Sequence, residues 1–381
     1  MRRSLNHQAA CIEDLRMLAK RRIPKFAYEY LTNGCNSNQA VSANRQALDA
    51  LYLHPRYLTS CETPEISCNL MGQQYAAPFG VAPVGLSGLI WPRASEYQAR
   101  AAHQANIPFI LSSLASISIE QAAENAKDNL WFQLYPPTVD EICEDLLRRT
   151  WEAGCRHLVV TIDVPSPGYR PADIRNGLSV PPKISARNLW QSMCCPAWSL
   201  NTLRNGVPQF ATMEPYLPSD ANLADVAHYI RNTLKKVVDL PTLKAIRKMW
   251  QGKLIVKGIL TADDAKRAIG AGADGLIISN HGGRQLDAAI PSLHALAKIR
   301  SSIGSDTSLM VDGGVETGVD LARYLANGAN AVFAGRAFMY GMGGLGEAGA
   351  THTIEIFQRE LQQVMEQLRC PAIADLPRFL K

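Results

Sequence analysis

Residues 276–287 read Leu-Ile-Ile-Ser-Asn-His-Gly-Gly-Arg-Gln-Leu-Asp, and the rest of the chain can be understood outward from them. An apolar run with β propensity stops abruptly at polar residues and two glycines, which is typical of a buried parallel strand that ends at a site. His281 can accept a proton near neutral pH, and Arg284 can bind a carboxylate through two N–H groups. The motif indicates chemistry on a small carboxylic acid. Taken alone, it fits equally well a capped strand end with a structural histidine and a surface arginine.

Outward from this stretch, the chain from Pro78 onward alternates short apolar segments with helical ones. We predict eight strands, at Phe79–Val84, Phe109–Ser112, Trp131–Tyr135, Leu158–Asp163, Leu254–Lys257, Leu276–Ser279, Leu309–Asp312 and Val332–Gly335. Eight β/α units over about 260 residues predict an α/β fold, the TIM (β/α)8 barrel, with its active site at the carboxyl ends of the strands. A doubly wound sheet would need a Gly-x-Gly-x-x-Gly turn after its first strand, which is missing.

The remaining parts of the chain are assigned around this barrel. Residues 1–75 are interpreted as a helical N-terminal extension, in which Pro24 begins a helix over 25–31. Tyr28 and Tyr30 lie two residues apart, so a helix points them to different faces and leaves one of them free for a site. We expect residues 1–381 to form a single barrel domain, with a region inserted after the fourth strand at about 174–233 and a helix resuming near 234–250.

Composition excludes several classes of protein. The net charge of +5 is modest and its lysines and arginines are dispersed, so nucleic-acid binding has little support. Met1-Arg2-Arg3-Ser4-Leu5 is followed by polar residues, as a signal peptide would not be. The sequence also contains no later run of about 18 apolar residues, the length needed to span a bilayer. Nine cysteines without a Cys-x-x-Cys pair predict free thiols and no metal site. We therefore expect a cytoplasmic protein.

The predicted strand ends are unusually polar. Side chains that can bind a ligand follow all eight strands. One or two of them could be ordinary buried polar residues. Polar groups at the ends of all eight strands favour a broad, flat ligand with a polar edge. The glycines of 312–314 and the Gly335-Arg336 pair follow the last two strands, where barrels commonly bind a phosphate through backbone N–H groups. The pattern indicates a phosphorylated cofactor.

The segment 174–213 lacks acidic residues but contains basic ones and large apolar ones such as Trp190 and Trp198. This composition predicts contact with an anionic membrane surface. Packing against another subunit is the alternative, and the sequence leaves it open.

Several of these motifs resemble those of the FMN-dependent L-2-hydroxy acid oxidases and dehydrogenases, which include glycolate oxidase, L-lactate dehydrogenase and (S)-mandelate dehydrogenase. The resemblance runs from Pro24 to Pro371, and the motifs that carry it most strongly are residues 131–135, 254–258, 279–287 and 312–314. The stretches at 89–92, 168–170 and 196–200 look closest to the mandelate dehydrogenase branch. The resemblance implies FMN as cofactor, a small 2-hydroxy acid as substrate, a quinone or oxygen as electron acceptor, a homotetramer, and possible peripheral binding to the inner face of the cell membrane.

The resemblance also implies a role for each matching residue. His281 would be the base, with Asp163 stabilising its imidazolium, while Tyr135 would contact the substrate oxygen. The carboxylate would be bound by Arg170 and Arg284, assisted by Tyr30. Lys257 would lie beside the flavin and stabilise its reduced, anionic ring. The other cofactor-binding residues implied are Ala82, Pro83, Val84, Ser112, Gln133, Thr161 and Ser279 at the ring, and Asp312, Gly313, Gly314, Gly335 and Arg336 at the phosphate.

Two positions refine this expectation. Gly85 stands where glycolate oxidase-like members tend to have alanine, which favours a dehydrogenase over an oxygen-using oxidase. Leu114 stands where those members have tryptophan, so the substrate pocket should be apolar and roomier. An FMN-dependent isomerase is a third class, against which the set of His281, Arg284 and Arg170 argues.

Glu316 departs from the family, which normally has an arginine there that pairs with the FMN phosphate. A carboxylate facing the phosphate would repel it, and would make the chain a flavin-binding relative with weakened activity. We expect instead that Glu316 points away, with Thr317 beginning a helix and Asp320 as its capping partner.

Overall fold

The structure is a computed structural model that describes residues 2–58, 63–178, 183, 185–217, 223–234 and 236–380. Its centre is a closed barrel of eight parallel strands in the order β10-β3-β4-β5-β6-β7-β8-β9, so the predicted TIM barrel is confirmed. The strands are β1 (Cys68–Leu70), β2 (Gln73–Tyr75), β3 (Phe79–Val81), β4 (Phe109–Ser112), β5 (Leu130–Leu134), β6 (His157–Thr161), β7 (Lys253–Ile259), β8 (Gly275–Ile278), β9 (Ser308–Asp312) and β10 (Ala331–Ala334).

Helices surround the barrel and cover its outer face. They are α1 (Arg2–Gln8), α2 (Ile12–Arg22), α3 (Lys25–Thr32), α4 (Gln39–Asp49), α5 (Ser87–Ile90), α6 (Ala94–Gln104), α7 (Ile119–Ala126), α8 (Asp140–Glu152), α9 (Pro171–Arg175), α10 (Ala186–Met193), α11 (Pro196–Asn205), α12 (Leu223–Thr233), α13 (Leu240–Met249), α14 (Ala262–Gly270), α15 (Ser292–Ile303), α16 (Gly318–Ala326), α17 (Arg336–Leu345) and α18 (Glu347–Leu368). The helix expected near 234–250 is α13, which occupies only 240–249 because Asp239 caps its N-terminus through the Thr242 N–H.

The barrel interior and the shell around it are separate apolar clusters. Alternate residues of one strand divide between them, since Trp131 lies in the inner cluster and its neighbour Phe132 in the outer one. The inner cluster includes Tyr75 of β2, whose hydroxyl accepts a 3.0 Å hydrogen bond from the Trp131 indole. The amino-terminal end of the barrel is thereby filled, and an open site has room only at the carboxyl end.

The N-terminal extension is helical only up to α4, so the prediction for residues 1–75 is wrong in its last part. β1 and β2 form an antiparallel hairpin, in which Met71 and Gly72 turn the chain with positive φ angles. Three-residue strands are too short to give a clear alternating pattern.

Two of the N-terminal helices reach the carboxyl end of the barrel. α2 packs on α17, and the helices approach closely because a Cβ added to Gly343 would lie 3.0 Å from the Ala19 Cβ. α3 carries Tyr30 to the site and leaves Tyr28 packed against the outer core, as the two-residue spacing predicted.

The region inserted after β6 contains α9 to α12, and its residues 179–182, 184 and 218–222 lie outside the described part. Large apolar side chains of α10 and α11 are exposed, including Trp190 at 64% and Leu203 at 81%. None of the helices described has the length and the apolar character that crossing a bilayer requires.

Candidate active site

A cavity of about 650 Å³ lies at the carboxyl ends of the barrel strands. This volume is within the range that binds small molecules and cofactors. The predicted residues that line the cavity are Tyr30, Ala82, Pro83, Val84, Ser112, Tyr135, Arg170, Lys257, His281, Arg284, Asp312, Gly313, Gly314, Gly335 and Arg336. The other predicted residues, Gln133, Asp163, Thr161 and Ser279, support the site through the hydrogen bonds described below.

His281 lies between a carboxylate and a phenol. Its Nδ1 is 3.0 and 3.1 Å from the two carboxylate oxygens of Asp163, and its Nε2 is 3.3 Å from the Tyr135 hydroxyl. Burial opposes ionisation of Asp163, but the charge and hydrogen bond of His281 outweigh it and hold the pKa of this carboxyl below its usual value. Burial, reinforced by the charge of Asp163, raises the pKa of Tyr135 to about 12. The arrangement provides a ring nitrogen that can accept a proton, and an anion that stabilises the imidazolium.

The backbone at His281 is unusual and serves this placement. Its φ is 58°, in the left-handed region that non-glycine residues rarely adopt, and Gly282 and Gly283 continue with φ of 61° and 77°. The His281 N–H donates to the Ser279 hydroxyl at 3.0 Å. Strain of this kind persists where the surroundings hold it, often at functional sites.

Lys257 is a buried cation held by Asp312 and Ser279. Its Nζ lies 2.9 Å from the Asp312 carboxylate and donates to the Ser279 hydroxyl at 2.9 Å. Burial alone would lower the pKa of Lys257, but Asp312 and Asp163 outweigh it and raise the pKa above its usual value. Ser279 also donates to Asp312 at 2.5 Å, which leaves the ammonium positioned at the cavity wall.

Two guanidinium groups, those of Arg170 and Arg284, line the same cavity as His281, and Nη1 of Arg170 lies 3.7 Å from the Asp173 carboxylate. Arg284 donates from Nη1 to the carbonyls of Tyr30 and Asn33, each at 2.8 Å. Burial and the nearby charge of Arg170 lower the pKa of Arg284 to about 10, and an anion bound between the two guanidinium groups would offset their mutual repulsion. Within the described part of the chain, the buried Nε of Arg170 has no hydrogen-bond acceptor. The arrangement fits a bound carboxylate.

A second unpaired group suits a flat, polar-edged cofactor. Gln133 donates to the Thr161 hydroxyl at 2.7 Å, while its buried Oε1 finds no donor among the described residues. Buried acceptors are rarely left without partners, so this oxygen is suited to a ligand N–H. Together with Lys257 and the mostly apolar Ala82-Pro83-Val84 edge, it fits the isoalloxazine ring of the predicted FMN.

The far end of the cavity corrects one expectation. Thr317 does cap α16, and Asp320 completes the capping box, as predicted. Glu316 nevertheless lines the cavity with Gly314 and Arg336, so the expected outward orientation is wrong. Helix capping fixes the backbone of residues 317–320 and leaves the preceding side chain free to turn inward.

Three residues at this end of the cavity were not predicted from the sequence to belong to the site. Arg16 of α2, Arg45 of α4 and Tyr340 of α17 all line the cavity. Only the packing of α2 and α4 against the barrel brings their arginines there, and neither helix carries a local motif that could indicate it. No group of three or more His, Cys, Asp or Glu residues in the described ranges could hold a metal ion.

The chain is similar to known proteins over almost its whole length. The family model for FMN-dependent dehydrogenase matches residues 19–380. An L-lactate dehydrogenase of Allorhizobium ampelinum is 36% identical, over 95% of this chain and 96% of the relative. An (S)-mandelate dehydrogenase of Pseudomonas putida is 35% identical, over 97% and 93%. A crystal structure described as the monotopic membrane protein (S)-mandelate dehydrogenase superposes with a TM-score of 0.92 at 35% identity, over 97% of this chain and 98% of that chain.

Proposed function

The chain belongs to the FMN-dependent dehydrogenase family, and from this premise we propose that it oxidises an L-2-hydroxy acid to the 2-oxo acid. One observation carries the proposal: a histidine between Asp163 and Tyr135 shares a cavity with the guanidinium pair of Arg170 and Arg284. A base beside a carboxylate-binding pair is the arrangement that oxidation of a hydroxy acid needs. The substrate is mandelate-like or lactate-like, as in the relatives named above.

His281 removes a proton from the hydroxy acid through Nε2, because Asp163 holds Nδ1 as the donor side of the ring. Asp163 remains an anion and stabilises the imidazolium that forms. The Tyr135 hydroxyl keeps its proton and can donate to the substrate oxygen. Bound FMN supplies the acceptor for the two electrons that leave the substrate.

Binding of the substrate carboxylate fixes the reacting carbon beside His281. Arg284 is oriented by the carbonyls of Tyr30 and Asn33, and Arg170 brings a second guanidinium from the start of α9. Holding the acid in this way contributes through orientation, which can supply a large share of the rate. Lys257, whose pKa is raised, stays protonated at the cavity wall and would stabilise negative charge on a bound flavin.

An anaerobic titration tests the proposed reaction. The purified protein is mixed with L-lactate, (S)-mandelate and longer L-2-hydroxy acids, and its flavin absorbance is recorded. We expect one class of acid to bleach the absorbance, while the D enantiomer does not. Full retention of the oxidised spectrum with every acid would contradict the proposal. Re-oxidation by air, compared with a quinone, then distinguishes an oxidase from the dehydrogenase that Gly85 favours.

We also infer that α10 and α11 dock on an anionic membrane surface. They pack together and expose Leu189, Trp190, Met193, Leu200 and Leu203 beside the basic Arg187 and Arg204. Apolar side chains flanked by basic ones are the composition that peripheral binding uses. A quinone acceptor would then be within reach of the enzyme, which would be cytoplasmic and peripheral on the inner face of the cell membrane.

Sedimentation with phosphatidylserine vesicles tests this surface. Binding should fall with added salt, because screening weakens the basic contribution. Trp190→Ser with Leu203→Ser should abolish it, whereas the matched control Tyr52→Ser, which removes an aromatic ring 73% exposed elsewhere, should not. Failure of the full chain to bind at low salt would contradict membrane docking and assign the patch to a subunit contact. The mass in solution, a tetramer or a smaller species, would then be compared between the same variants.

A further inference from the structure

Glu316 lies at the end of the cavity that suits a phosphate. The loop after β9 turns through Gly313 and Gly314 with φ of 114° and 73°, and α17 begins at Arg336 on the opposite side. Backbone N–H groups at such a loop and at a helix N-terminus bind phosphate readily. Glu316 lines the same cavity, so its carboxyl would share this end with the phosphate of a bound FMN.

Most of the arginines near Glu316 already have carboxylate partners. Arg16 binds Glu13 through two hydrogen bonds of 2.6 and 2.7 Å. Arg45 and Arg323 share the carboxylates of Asp49 and Asp320. Their positive charge is largely neutralised before any phosphate arrives.

Arg336 differs, because it donates to carbonyl oxygens. Its Nη1 lies 2.8 Å from the Gly282 carbonyl and its Nε 3.2 Å from that of Leu31. Its charge is available to an anion, and an ionised Glu316 would cancel it. A phosphate that carries a charge of about −1.5 to −2 would then meet a neutral end of the cavity instead of a positive one.

The environment of Glu316 favours the neutral carboxylic acid. Burial raises its pKa, and Asp320 and Glu13 add to the rise, while Arg16 and Arg45 oppose it without reversing it. The titratable and charged groups on the elements around it are Arg16 and Glu13 of α2, Tyr28 of α3, Arg45 and Asp49 of α4, Asp320 and Arg323 of α16, Arg336 and Tyr340 of α17, and Glu360 of α18. A bound phosphate is one more anion, so it raises the pKa of the carboxyl further.

We propose that Glu316 binds FMN as a neutral carboxylic acid that donates a hydrogen bond to the phosphate, so that FMN binding takes up a proton. The proton comes from solvent and remains on the carboxyl while FMN is bound. Affinity for FMN then falls by about tenfold for each pH unit above the pKa of Glu316 in the free protein. Riboflavin lacks the phosphate, so its affinity does not change in this way.

The test compares flavin release from the loaded protein between pH 5.5 and 8.5. The protein is loaded with FMN or with riboflavin, diluted, and the free flavin is measured by fluorescence. Glu316→Gln keeps the shape and a donor N–H but cannot ionise, so at pH 8 it should bind FMN at least about tenfold more tightly than the wild type. The two proteins should converge at the acid end, and riboflavin should not distinguish them. The matched control is Glu347→Gln, an exposed carboxylate that pairs with Arg100.

Equal FMN affinities of wild type and Glu316→Gln at every pH would overturn the proposal, as would the same pH dependence for riboflavin. A second measurement does not depend on the variant folding. Titration calorimetry of the wild type at pH 8, in buffers of different ionisation enthalpy, should show about one proton taken up per FMN bound. Uptake near zero would also overturn the proposal. Both readouts measure binding, so a failure of the proposed hydroxy acid oxidation leaves them unaffected.

Discussion

At the scale of single residues, His281 is the one whose loss should separate chemistry from cofactor binding. His281→Gln removes the base, but it leaves Lys257, Gln133 and the phosphate end in place. We expect the variant to keep FMN and to lose at least 10²–10⁴-fold in the rate of flavin reduction, the usual contribution of a general base. Stopped-flow reduction measures this rate, and the flavin content of the variant is the control. Reduction at the wild-type rate would remove His281 from the mechanism.

Arg284 should act mainly on substrate binding. In Arg284→Lys an ammonium replaces a planar group that the carbonyls of Tyr30 and Asn33 orient, and it cannot bind a carboxylate with two parallel hydrogen bonds. A loss of about 1.5–3 kcal/mol, typical of charged hydrogen bonds, corresponds to KM rising by roughly ten- to hundredfold. Steady-state kinetics would contradict this role if both KM and kcat stayed unchanged.

His157 should make the barrel sensitive to acid from its closed end. Its ring stacks on Trp131 with centroids 4.6 Å apart, and burial, helped by the charge of Lys253, lowers its pKa to about 4. Between about pH 6.5 and 4, His157 is therefore protonated in the unfolded chain but remains neutral in the folded chain. The stabilising contribution is fully present above pH 6.5 and is lost as pH falls, at up to about 1.4 kcal/mol per pH unit.

Urea unfolding at several pH values measures this dependence. His157→Phe keeps an aromatic ring but cannot titrate, so its free energy of unfolding should fall less steeply between pH 6.5 and 4 than that of the wild type. Parallel curves for the two proteins would show that other groups control the acid limb.

At the scale of elements, the N-terminal cap of α16 connects the barrel to the end of the cavity that suits a phosphate. The Thr317 hydroxyl accepts a 3.1 Å hydrogen bond from the Asp320 N–H, while the Asp320 carboxylate accepts from the Thr317 and Glu316 N–H groups. Thr317→Ala should lower the free energy of unfolding by about 1 kcal/mol. Thermal unfolding checks this, with Thr317→Ser as the matched control that keeps the hydroxyl. An alanine variant as stable as the serine variant would contradict the capping role.

The insertion shows how an element can be recognised while its structure stays unpredicted. The absence of acidic residues from 174–213 can be read from the composition of the segment. Its division into α9, α10 and α11 depends on helix caps such as Ser185, whose side chain accepts a hydrogen bond from the Asn188 N–H. The N-terminal hairpin was missed for a related reason, since its side chains are ordered by the barrel base more than by their own propensity.

At the scale of the whole molecule, FMN should stabilise the complete barrel, because residues from almost every strand end meet in one cavity. A ligand that binds only the folded state adds about 2.7 kcal/mol at a concentration 100-fold above Kd. Removal of FMN should therefore lower Tm, and readdition should restore it in a concentration-dependent way. His281→Gln, which we expect to keep the cofactor, should show the same rise in Tm. A Tm independent of FMN would contradict this cavity as the flavin site.

The barrel and the family could both be predicted from the order of the residues alone. Short, mostly apolar segments followed by polar groups recur at the strands, and a parallel barrel is the arrangement that buries such segments on both faces. Local motifs such as 279–287 and 312–314 also indicated FMN as the cofactor, and membership of the FMN-dependent dehydrogenase family confirms this cofactor. The roles of His281, Arg284 and the other site residues stay predictions.

The surroundings of those motifs depend on how remote parts of the chain pack together. Arg16 and Arg45 come from helices more than 200 residues before β9 in sequence, and no local pattern predicts which helix packs at the phosphate end. The direction of Glu316 was likewise undetermined, because a helix cap fixes backbone hydrogen bonds and does not fix the side chain that precedes it. Charge compensation depends on distances of a few ångströms between remote segments, so only the folded chain reveals which arginines are already neutralised and which carboxyl must take up a proton.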